Sequence, residues 1–96
     1  MLTGKQRAYL KAMANPFRPI FQIGKQGISN NVIIQLDNAL EARELIKINV
    51  LENSLLDTKK VACDIVNELG AEFVQILGNK ITIYRASKNN PKIKLP

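Results

Sequence analysis

The chain has no histidine, no tryptophan and a single cysteine, Cys63. Histidine is the commonest general base and the commonest metal ligand, so acid–base catalysis and a histidine-based metal centre both lose their usual residue. One thiol excludes an intramolecular disulfide and most structural zinc schemes, and the redox compartment it implies is a reducing one, hence the cytoplasm. Cys63 reads as a small packing residue. Long apolar runs are also missing. Nothing approaches the roughly 18 residues of a membrane span, and no apolar run follows the basic opening as a secretory leader would require. The five aromatics, Tyr9, Phe17, Phe21, Phe73 and Tyr84, are too few and too buried in pattern for a base-stacking platform, and no aromatic run of the RNP type is present. Catalytic residues, metal ligands and cofactors are therefore not expected.

What is present is ordinary globular composition, with 46% apolar and 23% charged residues, which argues against disorder and for one domain over residues 1–96. The net charge of +6 is unevenly spread. Residues 1–25 carry Lys5, Arg7, Lys11, Arg18 and Lys25 and no acid; residues 26–84 hold all eight acids against five bases; the tail, 85–96, has Arg85, Lys88, Lys92 and Lys94. Basic ends around an acidic middle suggest one positive surface, provided the fold brings the two ends together.

Local signals divide the chain into alternating elements. Thr3 and Gln6 form a capping box for a first helix whose Tyr9, Leu10 and Met13 face the core, and Asn15-Pro16 stops it. Ile20–Ile23 is a short apolar strand. Ser29 is the expected N-cap of a second helix, with Asn30 the competing choice, and Val32, Ile33, Leu36, Ala39 and Leu40 form its apolar face. Residues Glu44–Leu51 alternate as a strand with one wet face. Asp57 caps a third helix that Gly70 ends, and strands Phe73–Leu77 and Lys80–Tyr84 are joined by the tight turn Gly78-Asn79. The order α-β-α-β-α-β-β predicts an α/β domain with a four-stranded mixed sheet, part of one face thinly covered.

Between the first strand and the second helix lies Gly24-Lys25-Gln26-Gly27. Two glycines three apart allow a tight bend with exposed amides, the following helix adds unpaired N–H groups and its positive dipole end, and Lys25 contributes a mobile charge. Such a bend is also a plain strand-to-helix turn; strand before, helix after and the flanking cations are what favour an anion clamp. The candidate contacts are Gly24, Lys25, Gln26 and Gly27, with Lys5, Arg7, Lys11, Arg18, Arg85 and Lys88 as the cationic surround. Tyr84, on a polar strand face, is expected to pack under the tail rather than stack on a base.

Leu2-Thr3-Gly4-Lys5-Gln6-Arg7 running to Leu10, Ile23-Gly24-Lys25-Gln26-Gly27, Leu45-Ile46-Lys47, Tyr84-Arg85 and Lys92-Ile93-Lys94-Leu95-Pro96 occur in an order that resembles the CRM (chloroplast RNA splicing and ribosome maturation) domain, in its free-standing bacterial YhbY-like form. That resemblance implies a compact α/β fold similar to the C-terminal domain of translation initiation factor three. It also implies RNA binding through a KH-like Gly-x-x-Gly loop and a basic first helix, and association with ribosomal RNA of large-subunit precursors. Independently of the resemblance, a monomer without a membrane role is expected. A rival reading is an adaptor that docks a ribosomal protein through Asp37, Glu41, Asp64 and Glu68. A small enzyme acting on a phosphorylated substrate would need a base and a nucleophile, and the carboxylates lie on helical surfaces with nothing to cluster them. DNA in place of RNA is not settled by composition.

Overall fold

Thr3 starts the chain's first regular element. Its hydroxyl accepts from the Gln6 amide while the Gln6 side chain accepts from the Thr3 amide, which closes the capping box at the head of α1, Gly4–Ala14. In the computed structural model, which describes residues 2–96 (the side chain of Asn53 apart), the order continues with β1, Phe21–Ile23; α2, Asn30–Arg43; β2, Leu45–Val50; α3, Thr58–Leu69; β3, Glu72–Leu77; and β4, Lys80–Tyr84. Met1, the first residue of the single domain expected over 1–96, lies outside the described residues. A short 3₁₀ turn, Glu52–Ser54, precedes α3. Ser29 caps α2 and Asp57 caps α3, and Gly70 ends α3 at φ +62°, a left-handed conformation that glycine takes without strain.

The sheet order is β1-β2-β4-β3, with β1 parallel to β2 and β4 antiparallel to both β2 and β3. This is the mixed four-stranded α/β architecture read from the element order. Alternation along the strands builds two cores. Ile46, Ile48, Val50, Ile81 and Ile83 point to one face, where Leu36 and Leu40 of α2 and Val61, Ala62, Ile65 and Leu69 of α3 cover them. On the other face Leu45, Val74 and Tyr84 pack against Leu10 and Ala14 of α1 and against Ile93 and Leu95 of the tail. A fully buried leucine or isoleucine stabilises by about 1.5–3 kcal/mol, so both faces contribute. An irregularity in β3 between Phe73 and Gln75 admits Val74 as an extra residue, fully buried beneath α1.

Two expectations change. Tyr9 does not face the core; it is 42% exposed, and Leu10, Met13 and Ala14 carry the buried stripe of α1. Glu44 is not the first residue of β2 but a turn at φ +66° between α2 and β2, completely buried. The second sheet face is covered in part, by α1 and by the returning tail.

Candidate nucleic-acid interface

The glycine loop follows β1 at the carboxyl end of the parallel β1–β2 pair, the side of an open α/β sheet where crossover loops and helix N-termini gather. It is a tight turn closed by the Gly27 amide donating to the Gly24 carbonyl at 2.9 Å, with Lys25 and Gln26 exposed at its tip. Among the described residues the backbone amides of Lys25 and Gln26 have no internal partner, and the first helical amides, Asn30 and Asn31, lie just beyond the Ser29 cap, whose hydroxyl accepts from Val32 instead. The two glycines differ. Gly27 sits at φ +68°, where a side chain is strained; Gly24 has ordinary backbone, and a methyl there would meet Leu51 Cδ1 at 3.7 Å, a normal contact. One flank of the loop is acidic, since Asp64 and Glu68 of α3 share a hollow with Ile28, Ser29 and Asn30.

The remaining cations fall into separate places. Lys11 of α1 borders a small hollow on the second sheet face together with Lys47 of β2 and Lys80 of β4, floored by Gln75 and Thr82. Arg18 lies in a wider groove with Arg43, Lys47 and Lys92, so Lys47 borders both. Lys5 is exposed on α1, and Arg7 is half-buried with its Nε lacking a partner among the described residues. Arg85 is engaged inside the fold. Its Nη1 donates to Asp37 Oδ1 at 2.7 Å and to the Leu69 carbonyl at 3.0 Å, and its Nη2 donates to the Asp37 carbonyl at 3.1 Å, which satisfies an orphan carbonyl at the end of α3. Lys88 is exposed, its own amide held by Glu41.

That last contact belongs to an anchor that sequence reasoning missed. Glu41 accepts from the Ser87 hydroxyl at 2.6 Å and from the amides of Lys88 and Asn89 at 3.0 and 3.1 Å. Glu44 accepts from the amides of Ser87, Lys92 and Ile93 at 2.8, 2.6 and 2.8 Å. The Ser87 hydroxyl and the two amides hold the Glu41 carboxyl down at about 2. For Glu44 burial works in the opposite direction, yet its three amide donors outweigh it and keep the carboxyl below its usual value. Tyr84 is buried under the tail, as its strand position suggested, and burial together with the Glu44 charge raises its phenol pKa.

The two ends of the chain do meet, for the Gln6 side chain donates to the Pro96 carbonyl at 3.3 Å. They meet at the Leu45–Tyr84 end of the sheet, however, whereas the loop sits beside Leu51 at the other. α2 is 14 residues long and separates the tail anchor from the loop by about 21 Å. The cations near the loop's side of the sheet come instead from the acid-rich middle of the sequence, Lys47 and Lys80. Their alternation with Ile46, Ile48, Ile81 and Ile83 was the available signal. Three acids of that middle are engaged within the fold: Asp37 pairs with Arg85, and Glu41 and Glu44 hold the tail. Among the described residues no cluster of three or more His, Cys, Asp or Glu is placed to hold a metal ion, and no helix is long and apolar enough to cross a membrane.

Comparison with known proteins agrees with this architecture. The chain is similar to the "Probable RNA-binding protein YqeI" of Bacillus subtilis, 48% identical over the full length of both chains. It is 34% identical to an "RNA-binding protein" of Haemophilus influenzae, over 99% of this chain and 95% of the other. The solution structure of the Staphylococcus aureus protein SAV1595 superposes with a TM-score of 0.83 at 51% identity, both chains covered completely. The family model for the CRS1/YhbY (CRM) domain matches residues 2–85, and the chain belongs to that family.

Proposed function

We propose that this protein binds RNA, and that its ligand is ribosomal RNA in precursors of the large ribosomal subunit. The observation that carries the reading is the exposed two-glycine turn at the head of α2, whose Lys25 and Gln26 amides have no partner among the described residues. A phosphate seated there meets backbone donors, a helix N-terminus and the Lys25 charge at once. Lys11, Lys47 and Lys80 on the second sheet face and Arg18 at its edge supply further phosphate contacts. The names of the relatives support RNA as the polymer. Recognition by this set is dominated by backbone and shape, with little reading of base sequence.

Salt titration tests the reading. Neutralising about five phosphates on single-stranded RNA gives a slope of log affinity against log salt near −3.5. A slope near zero would overturn it. Crosslinking in cells followed by sequencing tests the ribosomal part, which requires reads concentrated in large-subunit precursor RNA. The adaptor alternative retains only Asp64 and Glu68 as unengaged acids beside the loop, because Asp37 and Glu41 are bound internally. Capture of a ribosomal protein that survives nuclease treatment would favour it.

A further inference from the structure

We infer that the groove between the α1–β1 connection and the end of α2 is a single-stranded RNA subsite that stacks one base on Phe17 and holds the adjoining phosphates with Arg18 and Arg43. The inference rests on the RNA-binding reading above but concerns a different surface from the glycine loop. The groove has a volume of about 470 Å³, and Arg18, Arg43, Lys47 and Lys92 line it without any acidic residue. That size is within the roughly 300–1,000 Å³ typical of small-ligand sites, enough for a nucleotide unit. Lys47 donates to the Phe17 carbonyl at 3.1 Å and Lys92 to the Ala42 carbonyl at 3.2 Å, neutral acceptors that fix the two ammonium groups without cancelling their charge. The Glu44 carboxylate, which feels the Lys92 charge, is buried and accepts from three backbone amides. Arg18 and Arg43 are exposed and, among the described residues, have no hydrogen-bond or ion-pair partner.

Phe17 is the feature that selects a nucleic acid over a simple anion. It is a 40% exposed aromatic ring that belongs to neither core and lines the groove beside its four cations. A base stacks on such a ring only when it is unpaired, and guanidinium planes both stack on bases and bind phosphate bidentately. Continuity gives the strand its path. Ile20 in the groove and Gly24 in the loop are joined by the three residues of β1 at the open edge of the sheet, a span of about 13 Å over four residue steps. One RNA strand running along that edge therefore reaches both surfaces.

The test compares a uridine hexanucleotide with the same hexanucleotide carrying abasic sites, on the full chain. Phe17→Ala is expected to weaken binding of the uridine oligomer by roughly 5- to 30-fold while leaving the abasic oligomer unchanged. Phe17→Tyr is expected to retain binding, and Arg43→Ala to weaken both oligomers. Unchanged circular dichroism of each variant shows that the fold is intact. If Phe17→Ala has no effect, or affects both oligomers equally, the subsite is refuted. Lys25→Ala separates the two surfaces: binding sensitive to Lys25 alone leaves the loop reading standing and removes the groove, while binding sensitive to Phe17 alone does the reverse. A hexa-aspartate peptide that binds with comparable affinity and the same dependence on Phe17 would assign the groove to acidic protein segments instead and overturn the inference.

Discussion

Glu44→Gln takes one acceptor away from the anchor that holds the tail. Oε1 of Glu44 accepts two backbone amides, Lys92 and Ile93, and Oε2 accepts one, Ser87. A glutamine of the same size can keep its oxygen on the Lys92–Ile93 side, which leaves its own N–H₂ facing the Ser87 N–H. One buried donor then loses its acceptor at a cost of about 1–3 kcal/mol, and the two remaining bonds fall from charge-assisted to neutral strength, about 1 kcal/mol each. Removal of a buried charge offsets part of this. The net expectation is a loss of about 2–3 kcal/mol, which for a domain of this size lowers the melting temperature by about 10–20 °C. Thermal unfolding followed by circular dichroism measures it, and amide exchange locates it. Ser87, Lys92 and Ile93 should lose protection while Ile48 and Ile81 at the centre of the sheet keep theirs. A melting temperature within about 2 °C of the parent, with those three tail amides still protected, would refute the account of the anchor.

Other expectations concern the loop, the acid range and the Arg85 contacts. Gly27→Ala is expected to destabilise by about 1 kcal/mol because of its φ of +68°, whereas Gly24→Ala should leave stability unchanged, so any loss of RNA affinity in the latter reports crowding of the ligand; urea unfolding beside RNA titration separates the two. Lys25→Ala should weaken binding alike across RNA sequences and flatten the salt slope by roughly 0.7. The Glu41 carboxyl is held at about 2 in the fold against 4.5 when free, so the stability it contributes is complete above about 4.5 and declines as pH falls from there through about 2. Exchange of the Lys88 and Asn89 amides across that window would show it, and flat protection down to pH 2 would contradict it. Arg85→Lys keeps the charge but cannot span Asp37 and Leu69 together, so it should cost about 1–2 kcal/mol of stability in urea unfolding.

What could be read from the sequence was local. The Thr3–Gln6 box, the Ser29 and Asp57 caps, Gly70 and the Gly78-Asn79 hairpin all act over a few residues, and each sits where its chemistry placed it. The loop, too, was visible, because two glycines between a strand and a cap define it. The tail's route was not, because its anchors pair residues more than forty positions apart, and a glutamate near the end of a helix looks like any solvated acid until its partners are known. Arg85 was misplaced for the same reason, since its acceptors are a helix carbonyl and an aspartate that no spacing connects to it. Tyr9 fitted the helical stripe, but the stripe is shifted toward Ala14 by the way α1 lies across β2 and β4. The cations Lys47 and Lys80 were hidden by averaging charge over a long segment most of whose acids lie outside the strands.

Carboxylates at the trailing end of a helix oppose its dipole, and Glu41 in the last turn of α2 and Glu44 just past it stand there. What makes them tolerable is the returning tail segment, residues 87–93, which works as a borrowed terminator for the helix. Unfastening it would fray the last turn of α2, which carries Ala42 and Arg43, and would carry Lys92 away as well. The wall and the lip of the groove beside Phe17 would vanish together, while the glycine bend at the helix's opposite extremity kept its shape.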